Sequence, residues 1–483
     1  MKKFLFSTIL YSLFILSVFA QAEADPEDTY RDADYFYDTG EYEEALYLFR
    51  QLGKDYPENA NLQFRIGMSY LNIPGSETQA IPHLEKAVQN TTLKYKEADF
   101  DEKEAPHHAL FYLGKAYRIN NQLDDALETY EKFMDIRNFE KKYNLRITEN
   151  EIKSCQRAKI IQDSPIELTK RNPGQTINNS AHNFHPVVTP DENAMVYMQR
   201  LKFYDAIMYS YKKEGEWSEP INITPQVGSD GEMIPSGISP DGTELLLVKK
   251  EAFDNGDIYY SKLEGNFWSK AVPLSKKINT IRDEDHASFS PDGKTLLFSS
   301  NRRGGYGKLD IYRSERLENG EWSEPENLGP TINTPENETS AFFMMNNHHL
   351  YFASNGHFNM GGYDIFFSEK ENNEWTDPVN LGYPLNTTGD NRYYQPVKKG
   401  NTGYLSLFDQ EENINKEDIY RIEMAPPASI PLPRTHMKSK SFILEIEDPG
   451  TGEVIVVSYD KEKDTFRVDS EKNLNYKIRV LEK

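Results

Sequence analysis

Two rhythms of apolar residues divide this 483-residue chain. From about residue 24 to residue 160 the apolar positions follow a helical pattern. Beyond about residue 163 short stretches alternate apolar and polar residues, as in Ala287-Ser288-Phe289-Ser290, and read as half-buried strands. The alternating part repeats itself at a spacing of just over fifty residues. One element reads Asp205-Ala206-Ile207, Asp257-Ile258-Tyr259, Asp310-Ile311-Tyr312, Asp364-Ile365-Phe366 and Asp418-Ile419-Tyr420. A second precedes it: Thr189-Pro190-Asp191-Glu192, Ser239-Pro240-Asp241-Gly242 and Ser290-Pro291-Asp292-Gly293, with degenerate versions at Asn346-Asn347 and Lys399-Gly400. Trp217, Trp268, Trp322 and Trp375 follow in phase and account for every tryptophan of the chain. A fixed period of this length marks units that bury their apolar faces against their neighbours.

Each unit predicts four antiparallel strands. In the third, residues 287–290 form a strand and Pro291-Asp292-Gly293-Lys294 a tight turn. Residues 295–299 and 309–314 are further strands, joined by a Gly-rich loop, and Asn319-Gly320 signals the hairpin into the fourth. Four-stranded units arranged radially are propeller blades. The fifth repeat lacks its Trp strand, while residues 166–169 and 175–178 resemble the close of a repeat. The N-terminal segment therefore supplies the last outer strand and closes a five-bladed ring without open edges; a six-bladed ring is the alternative. The Ser-Pro-Asp-Gly and Asp-Ile-Tyr elements together resemble the WD40-like propeller repeats of the TolB type, over residues 163–425.

The helical segment resembles a tetratricopeptide solenoid. Gly40, Tyr42, Ala45, Phe49 and Pro57 hold the spacing of one such repeat; Gly67, Tyr70, Ala80, Leu84 and Ala87 hold a second. Gly114, Tyr117, Leu123, Ala126, Tyr130 and Phe133 hold a third, after an insertion at residues 91–106. A last helix at about residues 148–161 is expected to cap the stack, which spans residues 24–162. Such stacks commonly bind a peptide or helix on their concave face. The register puts Asp34, Tyr37, Phe64, Met68, Asn72, Phe111, Lys115 and Arg118 there, with inter-repeat packing as the competing role.

The first twenty residues read as a signal peptide: Lys2 and Lys3, an apolar stretch from Phe4 to Phe19, and a Val18-Phe19-Ala20 cleavage site. They predict an exported protein, periplasmic or outer-membrane-associated, with no transmembrane segment in the mature chain. A formal net charge of −22 argues against a nucleic-acid partner, which needs a basic footprint. Cys155 is the one cysteine and has no His or Asn partner arranged around it in the sequence. Residues 426–441 read as a Pro-rich linker and 442–483 as a small β module of four short strands. This order of modules is similar to the PorE-type envelope proteins of Bacteroidota associated with type IX secretion. Their OmpA-like domain has no counterpart here, so the resemblance implies an exported scaffold and not cell-wall anchoring.

Catalytic motifs are missing from the sequence: no Gly-x-Ser-x-Gly elbow, no phosphate-binding loop, no zincin helix and no Cys pair. No cofactor or metal is expected; His348 and His349 are adjacent in a strand and point apart. Charged and His residues do gather ahead of the first strand of the repeats: His185, Glu232, Asp283, Glu284, Asp285, His286, Glu338 and Arg392. In a propeller these positions lie near the mouth of the central channel. Carboxylates there suit a glycosidase, a carbohydrate- or peptide-binding site, or a bound cation; the alternative is loop charge satisfying exposed strand ends. The reading as a whole is a non-enzymatic, exported interaction protein that binds protein partners in the cell envelope.

Overall fold

The computed structural model describes residues 25–250, 255–344, 347–398, 400–408 and 416–424, and four strands beyond residue 441. The signal segment at 1–20 and the linker at 426–441 lie outside the described residues. Contacts divide the chain into two compact units, residues 1–149 and 150–483.

The first unit is built from helix pairs. α1 (Pro26–Asp38) packs on α2 (Tyr42–Asp55), α3 (Ala60–Asn72) on α4 (Ile81–Ala87), and α5 (Ala109–Ile119) on α6 (Leu123–Met134). Asp25 caps α1 by accepting from the Glu27 amide, with Pro26 in the first turn; Asn59 caps α3 through the Leu62 amide. Small residues set the spacing of each pair. A Cβ on Gly67 would lie 2.6 Å from Leu84, and one on Gly114 would lie 2.7 Å from Tyr130. The insertion folds back on α1 and α3. Phe100 meets Tyr30 edge-on, Tyr95 meets Phe64, and the Tyr95 hydroxyl donates to Asn61 at 2.7 Å.

Helix α7 runs from Leu145 to Gln162. From Asn150 onward it counts with the second unit, where Ser154 and Arg157 donate to Asn359 and the Arg157 guanidinium lies over Phe358. Cys155 is buried on the same stretch.

The second unit contains the five-bladed propeller. Blade 3 runs Glu284–Phe289, Thr295–Ser300, Asp310–Glu315 and Glu326–Asn327, from inner to outer strand. Blades 1, 2 and 4 start at Asn183–Val188, Met233–Ile238 and Glu338–Met344. Blade 5 consists of Gln395–Val397, Thr402–Phe408 and Glu417–Met424, and its outer strand is Leu168–Arg171 from the other end of the chain. The pairing runs from Arg421 opposite Arg171 to Met424 opposite Leu168. Closure also shows in the core: one apolar cluster sits at each of the five blade junctions, and Val188, Tyr197, Val397, Tyr404 and Ile419 seal the junction of blades 5 and 1. Burial at these junctions is the main stabilising term of such a ring.

The repeated motifs are structural. In the Ser-Pro-Asp-Gly turn, Ser290 donates to Asp292 and accepts from the Thr295 amide, and Asp292 accepts from the Lys294 amide. Gly293 holds φ +70, the left-handed conformation glycine adopts without strain. In Asp-Ile-Tyr, the Asp310 carboxylate accepts from the Tyr306 and Gly307 amides and from Asn327, and so folds the Gly-rich loop. A further recurring residue is an asparagine. Asn279, Asn333 and Asn386 each bridge the amide and carbonyl of the central Ile of their blade, Ile258, Ile311 and Ile365. Asn178 does this to Ile419 across the closure.

The strands Phe442–Glu447, Val454–Asp460, Thr465–Arg467 and Lys477–Glu482 form one antiparallel sheet, in the order third, second, first, fourth. They correspond to the four strands read from the sequence.

Candidate functional site

Each first strand enters the propeller through three successive positions with different surroundings. The first position, six residues before the Ser or Thr of the turn in blades 1 to 3, holds Asn183, Met233, Glu284, Glu338 and Asn391 across the five blades. The second holds Phe184, Ile234, Asp285, Thr339 and Arg392, and the third His185, Pro235, His286, Ser340 and Tyr393. Bulges interrupt the register here in blades 1, 3 and 4, and His185, Ser340 and Tyr393 have φ of 50, 51 and 62. The distortion turns the strand ends inward.

The first position is an anchor. Glu284 accepts from the Thr280 amide and hydroxyl and from Ser300, and also meets Arg302. Glu338 accepts from the Thr334 amide and hydroxyl and from Ser354, each at 2.7 Å. Both carboxylates are fully buried. They are therefore tied into turns and do not face the mouth, where the repeat spacing alone would put them. Burial pushes Glu338 up to about 7, against the bonds from Ser354 and Thr334. Its folded value thus exceeds its unfolded value, so its contribution is intact below about pH 4.5 and lost as pH rises through about 7. Asn391 makes the same turn bond, to the Thr387 amide, without a charge. Glu338→Gln is accordingly expected to flatten the fall in stability between pH 5 and 8, by on the order of 3 kcal/mol. Urea midpoints across that range check it; an unchanged slope rejects it.

The second and third positions converge. The His185 and Tyr393 rings are 4.1 Å apart, and His286 lies 6.4 Å from Tyr393 and 5.1 Å from Phe342. Arg392 lies over Tyr363 and Tyr393, at 4.9 and 5.3 Å from the ring centres. Thr339 donates to Asp285 at 2.7 Å. Blades 1, 3, 4 and 5 thus meet around one point. Burial lowers both imidazoles to about 4, reinforced at His185 by Arg392 and His286 and opposed at both by Asp285. Both are neutral at pH 7, and Arg392 stays cationic.

The other sequence candidates are elsewhere. Asp283 accepts from the Gly256 amide of blade 2, and Glu232 is exposed, with Met233 holding the anchor position. Tyr393, Tyr363 and Thr339 also belong to the site; only their place in the period marks them in the sequence. At the opposite end of the first strands a narrow cavity of about 20 Å³ is lined by Pro190, Pro240, Pro291 and Pro396 with Phe289 and Phe343. Among the described residues no group of three or more His, Cys, Asp or Glu is placed to hold a metal ion.

On the helical unit the eight candidate residues separate into two sets. Asp34, Phe64, Met68 and Arg118 are buried, so they pack between helices and do not offer their surface to a partner. Asp34 pairs with the buried Arg65 at 3.0 Å. Tyr37, Phe111 and Lys115 are half-buried, and Asn72 is exposed.

A tetratricopeptide repeat model matches residues 30–59 and 108–136. No curated protein matches the chain. Among solved structures it is similar to TolB from Acinetobacter baumannii, at 17% identity over 53% of this chain and 63% of that one, with a TM-score of 0.31. It is also similar to a putative TolB from Agrobacterium tumefaciens, at 15% identity over 50% of this chain and 73% of that one, TM-score 0.30. An α-L-arabinofuranosidase from Podospora anserina aligns at 11% identity over 55% of this chain and 99% of that one, TM-score 0.34. The chain thus spans under two thirds of the Acinetobacter protein. It combines tetratricopeptide-repeat helices with a five-bladed propeller and a C-terminal sheet.

Proposed function

We propose that this protein is an exported, non-enzymatic scaffold of the bacterial cell envelope that recruits a protein partner through its helical repeats. The observation that carries the reading is the tetratricopeptide match on paired helices, where Tyr37, Phe111 and Lys115 keep accessible surface, with Asn72 exposed on α3 between the two matched stretches. Repeat helices of this kind present continuous faces suited to a peptide or helix. The signal-like residues 1–20 support export, and no helix among the described residues is long and apolar enough to cross a membrane. A periplasmic or outer-membrane-associated place, and kinship with PorE-type proteins of Bacteroidota, belong to this proposal. The non-enzymatic part is supported by Glu284 and Glu338, whose hydrogen bonds hold turns together.

The test is a crosslinked pull-down of the full chain from its native envelope, beside a Tyr37→Ala/Lys115→Glu double variant. Both substituted residues reach solvent, so the fold is expected to persist. One or more envelope proteins are expected with the parent chain and lost with the variant. An identical set of captured proteins from both would reject the helical face as the contact.

A further inference from the structure

We propose that the polar mouth of the propeller, formed by His185, Asp285, His286, Tyr363, Arg392 and Tyr393, binds a neutral saccharide. This goes beyond the scaffold reading and does not depend on it.

The side chains of His185, His286, Tyr363, Arg392 and Tyr393 form no hydrogen bond or ion pair with another described residue. The Nδ1 atoms of His185 and His286 are sealed from solvent without a partner, as is Ser340 Oγ beside them, and His286 is only 4% exposed. Buried polar groups are normally paired, so a set converging from several blades calls for a polar ligand. His185, Tyr363, Arg392 and Tyr393 still reach solvent, so the cluster is open to an incoming molecule.

The chemistry of the set selects the class. Arg392 and the two tyrosine hydroxyls are donors, the imidazoles offer both a donor and an acceptor, and Asp285 accepts. Sugar hydroxyls donate and accept and so match a mixed set. Tyr363 and Tyr393 add aromatic faces for the C–H side of a pyranose ring. Net charge argues against ions. The imidazoles are neutral at pH 7, and Arg392 is opposed by both Asp285 and Asp390. An anion would meet two carboxylates, and a cation would meet the guanidinium. Binding without cleavage is expected because the other carboxylates near Asp285 are engaged: Glu284 and Glu338 in turns, and Asp390 as acceptor from the Tyr363 amide at 3.1 Å.

Saturation-transfer NMR and calorimetry of the full chain with maltotriose, lactose, laminaritriose and N,N′-diacetylchitobiose test the proposal, with citrate and inorganic phosphate as charged comparators. At least one sugar is expected to bind and to be recovered intact. Tyr393→Phe, which removes only a hydroxyl without a protein partner, and Asp285→Asn are each expected to weaken it by about tenfold. Arg313→Ala, on the third strand of blade 3 and paired with Glu326, is expected to leave it unchanged. Binding of none of the four sugars, binding indifferent to both site variants, preference for citrate or phosphate, or cleavage of the sugar would each overturn the proposal.

Discussion

Asn178→Ala is expected to lower the stability of the propeller by about 2–6 kcal/mol, because it strips both backbone partners from a buried residue. Asn178 accepts from the Ile419 amide at 3.0 Å and donates to the Ile419 carbonyl at 2.8 Å, and Ile419 is fully buried. Each backbone group left unpaired carries a desolvation cost of about 1–3 kcal/mol. The same change at Asn333 is expected to cost less. There the Ile311 carbonyl also accepts from the Leu328 amide, so only the amide is orphaned. The order is the diagnostic point: Asn178 holds the junction where the two ends of the propeller chain meet. Urea unfolding followed by tryptophan fluorescence gives both values. Equal losses at the two sites would contradict a special role for the closure.

Glu192→Ala is expected to cost about 3–5 kcal/mol, the range for removing one partner of a buried charged set. Glu192 is 4% exposed and receives Arg421 Nε at 2.8 Å, Lys398 Nζ at 2.7 Å and the Tyr404 hydroxyl at 2.7 Å. It therefore ties blade 1 to blade 5. Burial alone would raise its carboxyl, but the bonds from Arg421, Lys398 and Tyr404 outweigh it and hold the group at about 2. Its folded value lies below its unfolded one, so the contribution is present above about pH 4.5 and lost as pH falls toward 2. Glu192→Gln is expected to abolish that acid-dependent loss. Glu192 also has φ +61, where the equivalent turns carry Gly242 and Gly293. Glu192→Gly should consequently be milder than Glu192→Ala by about 1 kcal/mol, since it releases left-handed strain. Unfolding of the three variants from pH 2 to 7 separates the charge from the backbone effect.

Much of this architecture was legible because turns and strand centres have strict residue requirements. Ser290, Asp292 and Gly293 are needed for the geometry of one turn, and Asp310 for one loop, so they recur visibly. The closing strand was legible for the same reason, through the likeness of residues 166–169 and 175–178 to residues 326–329 and 330–333. What failed was the assignment of neighbours. Glu284 and Asp285 are adjacent, yet one is sealed in a turn and the other meets Thr339 near the axis. In an extended chain consecutive side chains face opposite ways, and a bulge shifts the phase by one. That single-residue offset leaves Glu232 exposed and puts Met233 at the anchor position. In the helical unit a residue facing the groove in a regular repeat was hidden by its neighbours. Phe64 is covered by Tyr95 from the insertion, whose path no periodicity encodes. The asparagine bridges were visible as a recurring letter, but their role appears only when the strand they complete is in place.

The most direct test of the scaffold account is site-specific photo-crosslinking in the native cell, with a photoreactive residue placed in turn at positions 37, 72, 111 and 115 of the full chain. Glu43 and Arg50 of α2 serve as comparison sites on another helix face. The account predicts one discrete partner crosslinked from the first set and not from the second, with a band lost in the Tyr37→Ala/Lys115→Glu chain. No crosslinked protein from any of the four positions, or the same products from Glu43 and Arg50, would contradict it.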